Sequence, residues 1–183
     1  MMTQLIVIVG PNGVGKSTTA MQIKERYPRS AFVDSDWCRA MNPFVLTDIT
    51  KETVLENMYC LLRNYLLCEE ISTVVFTYSW HGGRKELYDR VIKRLQNDGI
   101  EFRETIVILK CSESENRRRA LVDNRDVERI EKGMKYTFSF YNEFEYPCID
   151  TTNMTVLEVV EYIWNLANSN LSNDCNAPPN LSF

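Results

Sequence analysis

The sequence has 183 residues, of which 44% are hydrophobic and 25% are charged, as is typical of a globular protein with one sizeable core. Its formal net charge of −4 argues against nucleic acid as a partner, because nucleic acids are bound by basic surfaces. We expect a cytoplasmic protein without membrane spans, because no run approaches the roughly 18 apolar residues of a span and no basic signal region precedes the first apolar run.

Five short apolar runs alternate with helical patterns along the chain, at residues 5–9, 31–33, 73–76, 105–109 and 147–149. Buried strands that alternate with helices are typical of βαβ units and a parallel sheet. The sequence therefore predicts an α/β fold of three layers, in which a five-stranded parallel sheet carries helices on both faces.

The first apolar run leads directly into Gly-Pro-Asn-Gly-Val-Gly-Lys-Ser at residues 10–17, which matches the phosphate-loop pattern G-x-x-x-x-G-K-[ST]. In this pattern glycines let the backbone approach a phosphate, and successive amides at a helix N-terminus form a nest for the anion. We expect Lys16 to reach the β- and γ-phosphates and the Ser17 hydroxyl to bind Mg²⁺. The predicted nucleotide-binding residues are Gly10, Asn12, Gly13, Val14, Gly15, Lys16, Ser17 and Thr18.

Two carboxylates follow the second predicted strand, in the segment Asp34-Ser35-Asp36. The third strand, which often ends in an acid in proteins with a phosphate loop, has none here. Ligands of an open α/β sheet lie at the carboxyl ends of its strands, and alternation along an extended segment would place both carboxylates on one side. The alternative interpretation is a solvated turn or a helix cap.

The phosphate loop followed by Asp34-Ser35-Asp36 resembles the P-loop small-molecule kinases, and especially the branch of shikimate kinase, gluconate kinase and related nucleotide kinases. The resemblance implies a P-loop NTPase fold with a small lid, with ATP and Mg²⁺ as cofactors. It also implies that Asp34 lies near the metal and that Asp36 binds the acceptor and is the candidate for its base. The Gly-Gly-Gly that ends the third strand of shikimate kinase is absent here, which argues against shikimate as the acceptor.

Several helices and the domain limits can also be predicted. Helical spacing of apolar residues covers residues 54–66 and 87–95, and Ser112 and Thr155 each begin a capping-box pattern that opens a helix, the second ending near residue 167. The aromatic stretch at residues 126–144, which Tyr146 follows, is interpreted as a helix packed on the sheet, with a ligand platform as the alternative. We expect one domain over residues 1–168, a lid at about 112–130 and a disordered tail at 169–183.

Four arginines follow the fourth strand, at positions 117, 118, 119 and 125. Arg118 and Arg125 lie close to two helical turns apart and would share a face. By the resemblance they belong to the lid and are the candidates for stabilising the transferred phosphoryl group. The alternative is a solvated basic helix whose arginines pair with neighbouring acids.

The acceptor is expected at the ends of the second and third strands, where aromatic and cationic residues occur together. The candidate acceptor-binding residues are Asp36, Arg39, Tyr78, Trp80 and Arg84. Trp80 could equally belong to the core, and His81 is interpreted as a polar hydrogen-bonding residue rather than a base.

These observations favour an ATP-dependent kinase that transfers the γ-phosphate to a hydroxyl or phosphate of a small molecule, such as a nucleoside, a nucleotide or a sugar acid. Lys16, Asp36, Arg118 and Arg125 are its predicted catalytic residues, and Ser17 and Asp34 are its predicted metal ligands. A nucleotide-dependent switch and a polynucleotide end kinase are the alternatives. The identity of the acceptor and the oligomeric state stay open.

Overall fold

The computed structural model describes residues 2–45, 47–122 and 139–174. The predicted catalytic Arg125, residues 123–130 of the predicted lid and Phe138 lie outside the described residues. No helix within the described ranges is long and apolar enough to cross a membrane.

The predicted parallel sheet is confirmed, with its five strands in the order β2-β3-β1-β4-β5. The strands are β1 (Thr3–Val9), β2 (Ser30–Asp34), β3 (Thr73–Tyr78), β4 (Phe102–Lys110) and β5 (Cys148–Asp150). The chain runs from β1 towards one edge of the sheet and from β3 towards the other. The carboxyl ends of β1 and β3 therefore flank the switch point at which such sheets bind ligands.

The central strand β1 is sealed on both faces, which explains its unbroken apolar sequence. Each side chain from Leu5 to Val9 is 0% exposed. Leu5 and Val7 face α2 (Asp48–Leu66) and α3 (Arg84–Asn97), whereas Ile6 and Ile8 face α1 (Lys16–Arg26) and the C-terminal helix α5 (Val156–Asp174). The predicted arrangement of helices on both faces is therefore confirmed.

The two predicted capping boxes differ in how completely they form. At α5, the Thr155 amide donates to Glu158 Oε2 at 2.7 Å and the Glu158 amide donates to Thr155 Oγ1 at 3.3 Å. At α4 (Glu113–Val122), the Glu115 amide donates to Ser112 Oγ at 3.2 Å, but the Glu115 carboxylate turns instead to arginines of its own helix. Helix α5 continues to Asp174, past the predicted end near residue 167.

The predicted helix over the aromatic segment is wrong for the part that the structure describes. Residues 140–143 form one short 3₁₀ turn, Phe140–Glu143. Tyr141 is 1% exposed and packs in the same core as α2 and α3, and its hydroxyl accepts a hydrogen bond from the Trp80 amide at 2.9 Å. The segment thus covers the sheet through single aromatic side chains rather than through a helical face.

Candidate functional site

The phosphate loop lies between β1 and α1, where its glycines adopt backbone angles that other residues rarely reach. Gly10 and Gly13 have φ angles of 148° and 86°. A Cβ on Gly10 would lie 2.3 Å from the Leu109 carbonyl oxygen, and one on Gly13 would lie 3.0 Å from Asn116 Nδ2. The loop therefore requires glycine at these two positions both for conformation and for space.

The Lys16 ammonium is bound to the backbone of the phosphate loop. Its Nζ donates to the carbonyl oxygens of Gly10 at 2.9 Å and Pro11 at 2.8 Å. Lys16 is also the first residue of α1, whose N-cap is Gly15, so no side chain caps the first amides of this helix. The positive end of the helix and the ammonium consequently converge on one place, as an anion site requires.

Two polar residues outside the motif support the loop, and sequence reasoning missed both. Ser79, just after β3, donates from Oγ to Asn12 Oδ1 at 3.3 Å, and Asn116 on α4 donates from Nδ2 to the Asn12 carbonyl at 2.8 Å. Asn116 is 2% exposed. The sequence shows an asparagine in the first turns of the helix after β4. It does not show that this side chain is buried or that it contacts the phosphate loop, because both depend on the fold.

The two carboxylates after β2 have different partners. Asp34, the last residue of the strand, accepts from the Ser17 hydroxyl at 2.6 Å through Oδ2 and from the Asp36 amide at 2.9 Å through Oδ1. Asp36 accepts from Arg39 Nε at 3.0 Å, within the 3₁₀ turn Trp37–Arg39. The backbone already turns at Asp36, with φ −67° and ψ −29°, so the strand alternation that we predicted is not what brings the two carboxylates together.

The predicted helix cap by the Asp36 side chain is also absent. Asp36 occupies the N-cap position of the 3₁₀ turn, but its side chain makes no capping hydrogen bond there. Its carboxylate pairs with Arg39 instead and stays 69% exposed.

Two of the three arginines of α4 differ in their surroundings, because Arg119 is anchored and Arg118 is exposed. Arg119 donates to the Val14 carbonyl at 3.1 Å, to the Thr151 carbonyl at 2.8 Å and to Glu115 at 2.7 Å, and its side chain is 23% exposed. Arg118 pairs with Glu115 and its side chain is 66% exposed. Hydrogen bonds from Arg118 and Arg119 lower the pKa of Glu115 to about 2. This carboxylate is therefore charged at neutral pH.

Arg119 was not among the arginines that the sequence predicted to be functional. It connects α4, the phosphate loop and the residue after β5 in one set of hydrogen bonds. Arg118 and Arg119 are adjacent in a run of three arginines, and nothing in the sequence shows which of them turns inward.

Two of the predicted acceptor-binding residues belong to the core instead. Trp80 is 0% exposed and packs against Tyr88 and Phe144, and Tyr78 is 4% exposed at the end of β3. Burial raises the pKa of Tyr78 to about 12. Strand β3 continues two residues beyond its predicted end and includes Tyr78, and Trp80 follows two residues after the strand. Both side chains lie in the packed layer, so this packing gives no support to the prediction that they contact the acceptor, which stays a prediction.

The remaining acceptor candidates form a cationic group near Asp36. Arg84, the first residue of α3, lies 3.1 Å from His81 Nε2 through Nη1. Burial, followed by the charges of Arg84, Lys16 and Arg39, lowers the pKa of His81 to about 4. Burial and the charge of Arg39 also lower the pKa of Arg84. His81 is therefore neutral at pH 7.

A single cavity of about 910 Å³ joins these parts. It combines the phosphate loop, the carboxylates after β2 and the inner face of α4 with the start of α5. Its lining includes Asn12, Gly13, Val14, Gly15, Lys16, Ser17, Thr18, Asp34, Asp36, Arg39, Arg118 and Arg119. His81 and Arg84 do not line it.

The chain resembles solved structures of kinases over nearly its whole length. A gluconokinase from Sinorhizobium meliloti matches with a TM-score of 0.61 at 18% identity, covering 95% of this chain and 96% of that one. Shikimate kinase from Acinetobacter baumannii in complex with shikimate matches with a TM-score of 0.59 at 19% identity, covering 92% and 94%. Thymidylate kinase from Candida albicans matches with a TM-score of 0.56 at 14% identity, covering 93% of each chain.

Comparison by sequence finds nothing similar: no protein-family model matches the chain, and no curated protein sequence matches it. The likeness is therefore one of structure. The chain has the α/β fold of the P-loop small-molecule kinases, as the sequence motifs predicted.

Proposed function

We propose that this protein is an ATP-dependent phosphotransferase that moves the γ-phosphate to a hydroxyl or a phosphate of a small molecule. The observation that carries the proposal is the single cavity in which a phosphate loop faces Asp34, Asp36 and Arg39. A site for the phosphate donor and a carboxylate suited to the acceptor thus lie in the same cavity. The kinase folds that the chain resembles add support of a general kind, without naming the acceptor.

The donor half of the cavity suits a nucleoside triphosphate. The amides at the start of α1 and the Lys16 ammonium would hold the β- and γ-phosphates. Arg119, Arg118 and the start of α5 line the same cavity on the side of β5. Arg118 has an exposed side chain and lines the cavity, so it is the candidate for contacting the transferred phosphoryl group.

The residues for Mg²⁺ fit that ion. The Ser17 hydroxyl and the Asp34 carboxylate are hard oxygen ligands, and their oxygens lie 2.6 Å apart beside the loop. Ser17 would bind the metal directly and Asp34 would bind it directly or through water. When bound, Mg²⁺ neutralises the charge that develops on the phosphate oxygens.

Asp36 is suited to the acceptor. With a hydroxyl acceptor, its carboxylate would orient the O–H group and receive the proton as the oxygen forms a bond to the γ-phosphorus. The bond between the γ-phosphorus and the bridging oxygen then breaks, and ADP leaves. With a phosphate acceptor no proton needs to be removed, and Asp36 would act only by positioning the substrate.

The test is a screen of small-molecule acceptors with ATP and Mg²⁺, read by mass spectrometry for the gain of a phosphate. Nucleosides, nucleotides and sugar acids belong in the panel, and Lys16→Ala is the negative control. We expect at least one acceptor to be phosphorylated by the wild type and not by the variant. ATP binding with no acceptor phosphorylated, together with hydrolysis stimulated by a protein partner, would contradict the proposal and favour a nucleotide-dependent switch.

A further inference from the structure

The side chain of Asn12 is held at its oxygen end within the phosphate loop. Ser79 Oγ lies 3.3 Å from Asn12 Oδ1 and 3.5 Å from the Gly10 carbonyl oxygen. A hydroxyl has one proton to donate, and the shorter contact is the one to Asn12. Asn116 Nδ2 donates to the backbone carbonyl of Asn12 at 2.8 Å. Asn12 is therefore held through its side chain from the end of β3 and through its backbone from α4.

The other end of the Asn12 side chain is a donor that is available to a ligand. A side-chain amide has a carbonyl oxygen that accepts and an NH₂ group with two protons to donate. Because Oδ1 faces Ser79, Nδ2 is turned away from it, and Nδ2 makes no hydrogen bond within residues 2–45, 47–122 and 139–174. Asn12 is exposed and lines the cavity of about 910 Å³. Two N–H groups are thus offered to whatever binds the phosphate loop.

The partner of Asn12 is itself fixed in the packed part of the molecule. Ser79 is 7% exposed and directly follows Tyr78, the last residue of β3. The amide of the next residue, Trp80, donates to the Tyr141 hydroxyl at 2.9 Å, and Trp80 and Tyr141 are 0% and 1% exposed. The Ser79 hydroxyl therefore belongs to a rigid segment and orients Asn12 before a ligand binds. A donor that is oriented in advance costs no reorganisation when charge develops beside it.

The place of Asn12 in the cavity indicates which phosphate it meets. Strand β3 lies beside β2 with Thr77 opposite Asp34, so Ser79 belongs to the side of the cavity that carries the proposed metal ligands and Asp36. The start of α5 lines the cavity on the side of β5. A nucleoside triphosphate whose terminal phosphate faces the acceptor therefore brings that phosphate, rather than its α-phosphate, towards Asn12.

We propose that the side-chain amide of Asn12 donates a hydrogen bond to the γ-phosphate of the nucleotide and that Ser79 is its positioning residue. This inference rests on the proposed function. A hydrogen bond to a phosphate oxygen is charge-assisted and therefore stronger than one between neutral groups. Charge spreads over the three equatorial oxygens of the phosphoryl group during transfer, and the Asn12 donor stabilises it there. Asn12 keeps its protons throughout.

This role distinguishes nucleoside triphosphates from diphosphates. ADP retains the contacts of its two phosphates with the amides of the loop, but it has no oxygen at the place of the γ-phosphate. Removing the Asn12 amide should therefore weaken the binding of a triphosphate and leave that of ADP nearly unchanged. The ratio of the two dissociation constants reports this contact, whereas general damage to the loop would weaken both ligands.

The experiment compares ADP with the ATP analogue in which an imido group replaces the β–γ bridging oxygen, by calorimetry with Mg²⁺ and without turnover. Asn12→Ala should weaken binding of the analogue about tenfold or more, as expected for the loss of a charge-assisted hydrogen bond. Asn12→Asp keeps an acceptor for Ser79 but replaces the donor by a carboxylate. It should weaken binding of the analogue more than Asn12→Ala does.

A double-mutant cycle tests whether Ser79 acts through Asn12. Ser79→Ala alone should weaken binding of the analogue relative to ADP by a smaller factor than Asn12→Ala, and it should add nothing in the Asn12→Ala background. Ser72→Ala is the matched control, because Ser72 precedes the same strand and its hydroxyl donates to the Arg29 carbonyl at 3.4 Å. The control should bind both nucleotides as the wild type does.

The outcomes separate this inference from the function on which it rests. If Asn12→Ala binds the analogue as the wild type does, or loses equal affinity for the analogue and for ADP, while the wild type phosphorylates an acceptor, the inference is overturned and the phosphotransferase function stands. Additive effects of Ser79→Ala and Asn12→Ala would overturn the positioning role of Ser79. If the wild type binds neither nucleotide, both proposals fail together.

Discussion

The donor and acceptor halves of the cavity are built in different ways. The donor half consists largely of backbone: glycines with positive φ, amides at a helix N-terminus and carbonyl oxygens that hold Lys16. The acceptor half consists of side chains, in which Asp36 pairs with Arg39 in the turn that follows β2. A backbone site tolerates few alternatives, whereas a site of side chains can change its ligand by single substitutions. We therefore expect changes in the donor half to abolish function and changes in the acceptor half to alter it.

The largest expected effect is that of Lys16→Ala, which removes the charge facing the transferred phosphate. Phosphate transfer should fall about 10²–10³-fold or more, because a preorganised donor of this kind is worth that much. The melting temperature should change little, since the Lys16 ammonium donates to carbonyl oxygens of the loop at Gly10 and Pro11. Lys24→Ala, on the exposed side of the same helix, is the control, and normal turnover by Lys16→Ala would refute the donor assignment.

Asp36→Asn tests the acceptor half. Transfer to a hydroxyl acceptor should fall about 10²-fold, in the range for loss of a general base, while ATP affinity should be nearly unchanged. Initial rates and ATP binding measured on the same preparation would check this. An equal loss of transfer rate and ATP affinity would indicate that Asp36 binds the metal. Asp36 would then belong to the donor half as well as to the acceptor half.

Arg119→Ala and Arg118→Ala compare the anchored and the exposed arginine of α4. Arg119→Ala should lower the free energy of unfolding by about 2 kcal/mol and weaken nucleotide binding, because it removes hydrogen bonds to Val14 and Thr151. Arg118→Ala should leave the free energy of unfolding nearly unchanged, as expected for an exposed ion pair. Urea unfolding of both variants would measure the difference, and equal losses would show that Arg119 is not an anchor.

A further prediction concerns the pH dependence of stability and His81. The folded protein holds the pKa of His81 at about 4, below the value of 6.5 in an unfolded chain. Between these values the unfolded chain binds more protons than the folded protein, so stability should fall as pH decreases from about 6.5 to 4. Urea unfolding at several pH values should show a flatter slope for His81→Gln than for the wild type; the same slope in both would place the proton uptake elsewhere.

The sequence was sufficient for the parts of the molecule that depend on local geometry. Burial of β1 on both faces requires its run of apolar residues, and the phosphate loop requires glycine at positions 10 and 13, so both can be recognised from the chain alone. The parallel sheet and the placement of helices on both faces follow from the alternation of elements together with this motif, whereas the order of the strands comes from the structure alone.

The rest depends on contacts between distant residues. Whether Arg118 or Arg119 turns inward depends on the positions of Val14 and Thr151, which come from two other loops. Trp80 belongs to the core because Tyr141 and Phe144, far along the chain, cover it. The partner of Asp36 is Arg39 because a 3₁₀ turn follows β2 at once, and a strand pattern cannot indicate where that turn begins.

The position of β1 has a consequence for how ligands act on the molecule as a whole. A strand that is central in the sheet and 0% exposed from Leu5 to Val9 should exchange its amide hydrogens only when the entire domain unfolds. The phosphate loop continues directly from this strand, so a nucleotide bound there is released whenever β1 opens. Nucleotide binding should therefore slow exchange throughout the sheet, by an amount set by its concentration relative to its dissociation constant.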